Sequence, residues 1–97
     1  MKQYLLLIEN NATMPIAPEQ WTAFFERASA SGYFRGGSKL GPAQILGNTD
    51  TAHAIDFLAG YMRFDAENKS DLVALLAEHP VIANGGSVHL IEMPKTG

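Results

Sequence analysis

A carboxylate near an imidazole can orient the ring and stabilise its cation, so a His–Asp pair can perform general acid–base work. The chain offers one such pair in His53 and Asp56. A spacing of three puts both on one side of a helical turn, but on opposite faces of a strand. The plain alternative is a solvated loop histidine beside an unrelated aspartate. A second set is built on alternation. Tyr61, Arg63 and Asp65 take one face of a strand-length stretch, and Met62 and Phe64 take the other. His89 sits in a final stretch where Val88, Leu90 and Glu92 alternate with His89, Ile91 and Met93. With Met62, Phe64, Val88 and Leu90 turned to the core, Tyr61, Arg63 and His89 share the opposite face. An arginine there can clamp the carboxylate of a small organic acid, with His89 or Tyr61 carrying a proton. The alternative pairs Arg63 with Glu9, Glu92 or Asp65 across a dimer.

Other chemistries find no support. Cysteine is absent, which excludes disulfides, thiolate zinc sites and cysteine nucleophiles. The three histidines lie far apart and show no metal-ligand spacing, so no metal is expected. Gly36-Gly37 and Gly85-Gly86 lack dinucleotide-binding and Walker spacings, open no evident helix, and read as backbone geometry. No cofactor is expected. Four Lys and three Arg stand against four Asp and six Glu, a net charge of -3, so a basic nucleic-acid surface is not expected. His79 reads as structural: on the apolar stripe of a second helix, near its C-terminus, where the dipole favours an imidazolium.

The elements that position these groups follow from periodicity. Tyr4 to Ile8 is a short apolar run, as in a central strand. Pro18 and Glu19 open a helix over about 18–31, in which Trp21, Phe24, Phe25 and Ala28 form one apolar stripe, and Gly32 ends it. Tyr33 to Leu40 reads as a strand that bends or bulges at Gly36-Gly37, and Gly41-Pro42 as a turn. Gln44 to Leu46 is a short strand candidate, and Ala52 to Leu58 fits a strand or a helical turn. Tyr61 to Asp65 is a strand. Ser70 caps a second helix, with Asp71 in its first turn and Leu72, Leu75, Leu76 and His79 on its stripe, ending before Pro80. Val81 to Gly86 connects to the last strand, Ser87 to Met93.

This order is α+β: a ferredoxin-like split β-α-β plan, an antiparallel sheet with two helices on one face. The 97 residues make one domain over 1–97, small enough that its margin of stability is thin. The uncovered face of its sheet calls for a partner, and a second copy is the usual one. The N-terminal apolar run stops at Glu9, short of a secretory segment or a membrane span. A cytoplasmic protein with no membrane partner is expected.

The chain resembles the YCII-related proteins, which include the DGPF-domain group. The resemblance is carried by the Lys2–Ile8 strand, Gly36-Gly37, Leu40-Gly41-Pro42, Gly60-Tyr61, Asp65, Leu75 to His79-Pro80 and Gly85-Gly86-Ser87-Val88. It implies small ferredoxin-like domains that pair sheet to sheet as homodimers, the dimeric α/β-barrel type. It implies no reaction, and enzyme and non-catalytic ligand- or protein-binding module both stand. Two departures matter. Where the DGPF group carries its signature, this chain reads Ala54 to Gly60 and keeps only Asp56 and Phe57, with a shorter middle hairpin. The early histidine of the YciI-like branch, proposed as half of a catalytic His–Asp pair, has no counterpart, since no His precedes His53.

Overall fold

The computed structural model describes residues 1–95. Lys2–Glu9 forms β1, Pro18–Ser31 α1, Phe34–Lys39 β2, Leu58–Ala66 β3, Lys69–Leu76 α2, Pro80–Ala83 α3 and Val88–Met93 β4. The four strands make one antiparallel sheet in the order β2-β3-β1-β4, with β1 central as its unbroken apolar run predicts. The helices pack on one face. This is the ferredoxin-like α+β architecture read from the element order.

Register decides what each face does. Tyr4 opposes Phe64, Leu6 lies between Met62 and Leu90, and Ile8 between Gly60 and Val88. Strand side chains alternate, so these residues point together. They meet Phe24 and Ala28 of α1, Leu72 and Leu76 of α2 and Val81 of α3 in the core. The stripe of α1 splits. Phe24 is buried and Trp21 half-buried, while Phe25 is 42% exposed and lies at the edge of the sheet rather than anchoring it. The first turn of α1 is held by the Gln20 side chain, which accepts from the Ala17 N–H at 2.9 Å. Gly32, at φ 78°, ends the helix in the left-handed region.

Four segments depart from the sequence reading. Gln44 to Leu46 is not a strand, because nothing runs beside it to complete a ladder. Ala52 to Phe57 is irregular, and strand begins at Leu58. The second helix is capped by Asn68 rather than Ser70; the Asn68 carbonyl accepts from Asp71 and Leu72, and the Ser70 hydroxyl turns to Asn68 Oδ1 at 3.2 Å. That helix stops at Leu76. His79, extended as the residue before a proline should be, caps the separate short helix α3.

Candidate functional site

The face of the sheet away from the helices carries Tyr61, Arg63 and Asp65 from β3 and His89 from β4. The register makes their relation definite. Leu7 of β1 lies between Tyr61 and His89, and Leu5 lies between Arg63 and Ile91. Two strand spacings therefore separate Tyr61 from His89, about 10 Å. Arg63 is one step along β3 on the same face. Half-buried Leu5 and Leu7 form an apolar floor between these groups.

His89 is not alone there. Glu9, at the end of β1, accepts from the ring Nε2–H at 2.5 Å, and the pair is partly exposed. Glu9 is itself steadied by the Asn11 amide, which donates to its other oxygen at 3.3 Å. A carboxylate on one ring nitrogen fixes the orientation of the imidazole and leaves Nδ1 free to take a proton. Sequence spacing pointed to Asp56 as a carboxylate partner for a histidine; the register supplies Glu9, 80 residues from His89.

Arg63 is exposed, and among the described residues no carboxylate pairs with it. Each acid proposed for it is engaged elsewhere. Asp65 accepts from Arg35 Nε at 3.2 Å, Glu92 pairs with Lys2 at 3.4 Å, and Glu9 holds His89. A bulge explains the first of these. Pairing of β2 with β3 shifts between Phe34 and Gly36, Gly36 takes φ 116°, and Arg35, the extra residue, reaches across to Asp65. The guanidinium of Arg35 also donates to the Gly32 carbonyl at 2.8 Å, and among the described residues Arg63 is left without a carboxylate partner.

His53 and Asp56 are not brought together. Both are exposed in the irregular connection 40–57, and no hydrogen bond or ion pair joins them. The Asp56 carbonyl, not its carboxylate, is used, accepting from the Asn10 amide at 2.9 Å. His79 is fully buried at the start of α3, and burial pushes its pKa down to about 4. It is therefore neutral, the opposite of the imidazolium expected at a helix C-terminus. Nδ1 accepts from the Val81 N–H at 3.1 Å, while Nε2 lacks a polar partner and lies among aromatic rings. The edge of Trp21 is 5.2 Å away between centroids and Phe24 4.8 Å. No cluster of three or more His, Asp or Glu able to hold a metal exists among the described residues.

The helix side holds a concavity that sequence reasoning did not find. A cleft of about 580 Å³ opens between α1 and the sheet, walled by Ile8, Ile16, Trp21, Phe25, Phe34 and Met62. Its lining is mostly apolar, with Glu9 and Lys39 as its two charged residues and Tyr61 also lining it. One end is closed by the 10–17 connection, which the Asn84 carbonyl holds by accepting from Thr13 and Met14 at 2.8 and 3.2 Å. The sequence signal for the cleft was the width of the α1 stripe: Trp21 and Phe25 extend it beyond what the core needs.

No family model matches the sequence, and no curated protein does. Among solved structures, the chain is similar to 5-chloro-2-hydroxyhydroquinone dehydrochlorinase from Burkholderia phenoliruptrix, determined with 2,5-dihydroxybenzoquinone. The two are 12% identical, with 98% of this chain and 95% of that chain covered and a TM-score of 0.49. No helix among the described residues is long and apolar enough to cross a membrane.

Proposed function

We propose that the chain is a YCII-related, homodimeric domain that binds a small organic acid between two facing sheets. Arg63 holds the carboxylate of the ligand, the Glu9-oriented His89 exchanges a proton with it, and Tyr61 supplies a hydroxyl from the other side of Leu7. The observation that carries this reading is the unpaired Arg63 above an apolar floor, on the face that also holds His89 and Glu9. An exposed cation with Asp65, Glu92 and Glu9 each engaged elsewhere is suited to an external anion, and an arginine fork matches a carboxylate with two parallel hydrogen bonds.

The test is calorimetric titration of the dimer with benzoate and succinate, comparing the unaltered chain with Arg63→Ala and His89→Ala. Loss of a charge-assisted pair costs about 1.5–3 kcal/mol, so Arg63→Ala weakens carboxylate binding by about 10–150-fold while the fold and dimer persist. Unchanged affinity, or variants that only lose stability, would sink the proposal. A second reading is a binding module without chemistry, favoured by the apolar cleft on the helix side. That module takes up an apolar ligand whose affinity responds to Phe25→Ala and not to Arg63→Ala.

A further inference from the structure

Two apolar surfaces of this chain do not meet each other. One is the open sheet face, with half-buried Leu5 and Leu7 and with Ile91 at 42% exposure. The other is the connection between β2 and β3. Residues 40–57 are all exposed, and they include Leu46 at 81%, Ile45 at 49%, Ile55 at 48% and Phe57 at 45%. Unstructured connections longer than about 12–15 residues in small domains are uncommon and are usually functional or disordered. This one has a fixed root. Leu40 donates to the Ala59 carbonyl at 2.9 Å, and Asn10 donates to the Phe57 and Asp56 carbonyls at 2.8 and 2.9 Å. It also has a formed tip, where Asn48 accepts from Asp50 and Thr51. Between them, no hydrogen bond ties 41–54 to the rest of the chain among the described residues.

We infer that residues 40–57 are an intermolecular arm that packs over the open sheet face of a second copy and closes its Arg63–His89 site. The inference rests on the homodimer of the preceding reading and adds what the second copy contributes. Area argues for the arm. Four strands at about 4.8 Å spacing and about 20–27 Å long offer roughly 400–500 Å² per chain. A standard stable interface takes about 800 Å² per partner. The sheets alone fall short, and four large apolar side chains on each arm supply the remainder. In a twofold pair each arm finds the other copy's face, so both exposed surfaces are covered twice. Charge agrees. The arm holds Asp50 and Asp56 and no Lys or Arg, and it meets a face whose Arg63 lacks a carboxylate. A guanidinium has five N–H donors, enough for an arm aspartate and a ligand carboxylate together.

The experiment is sedimentation velocity across a wide dilution range on the full chain, on the Leu46→Asp/Ile55→Asp double variant and on the milder Leu46→Ser/Ile55→Ser pair. Circular dichroism confirms that each is folded, as expected for exposed side chains that lie outside the core. The expected result is a dimer of about twice 10.5 kDa for the unaltered chain. Dimerisation weakens at least tenfold in the serine pair, and the aspartate pair is monomeric. An unaltered dimer matched by equally tight dimers of both variants overturns the arm and leaves the homodimer standing. An unaltered chain that stays monomeric overturns both readings.

Discussion

His79 makes the stability of this fold depend on pH in a calculable way. The unfolded chain carries an ordinary imidazole with a pKa of 6.5, and burial lowers it to about 4 in the folded chain. Protonation in place would also put an N–H on Nδ1, where the Val81 N–H already donates. Between pH 6.5 and 4 the unfolded chain therefore binds a proton that the folded chain refuses, and stability falls as pH falls. Above 6.5 the contribution is complete; below about 4 it is gone. At about 1.4 kcal/mol per tenfold, the gap amounts to about 3 kcal/mol, of which about 2 lies between pH 7 and 4.5. Domains of this size hold about 5–15 kcal/mol in total. The assay is urea unfolding at pH 7, 5.5 and 4.5, followed by the fluorescence of Trp21, whose ring meets His79 edge-on. His79→Asn keeps an acceptor for Val81 and has no titration in this range. It should be less stable at pH 7, but its loss on acidification should be smaller by about 2 kcal/mol. Parallel pH profiles for the two proteins would refute the assignment of a neutral, buried His79.

Other substitutions read the packing. Phe24→Ala, at a 2% exposed position, should cost about 3–5 kcal/mol, and Trp21→Ala, half-buried, should cost about 2; thermal melts in the reverse order would contradict the packing of α1. At Gly37 an added methyl would meet the Tyr61 carbonyl and lie 2.9 Å from Met62 Cα. Both obstacles are backbone of the paired strand, so Gly37→Ala should pry β2 from β3 and lower stability by about 1–3 kcal/mol. Amide exchange in β2 that is unchanged by this substitution would show the approach to be less tight.

The parts of the fold legible in the sequence were those with a clean period. The three-four spacing of Trp21, Phe24 and Ala28 placed α1, and the two-residue alternation through Tyr61 to Asp65 and Val88 to Met93 placed β3, β4 and the side each residue takes. The segment 40–57 misled because its short apolar pieces have strand composition, while strand formation needs a neighbour that only the folded sheet could supply or withhold. The break at His79-Pro80 was legible as a stop; that Pro80 begins a new helical turn was not, since a proline suits a first turn as well as it ends a preceding one. For the site, alternation grouped Tyr61, Arg63 and His89 only with Met62, Phe64, Val88 and Leu90 assigned to the core, and the register then made the grouping definite. Pairing His89 with Glu9, and Asp65 with Arg35, required the strand register and a bulge, neither of which is written in local spacing.

The central strand has a consequence for how the sheet finds its alignment. In most half-covered sheets a slip of one residue is punished at once, because it turns polar side chains inward. β1 lacks that safeguard: from Tyr4 to Ile8 both alternating sets are apolar, so a slipped β1 would still bury grease. Correct alignment then depends on features outside the run. Lys2 reaches Glu92 and Glu9 reaches His89 at its two ends. The charged residues that terminate the strand thus help to mark its alignment, each partly exposed pair by about 1 kcal/mol or less.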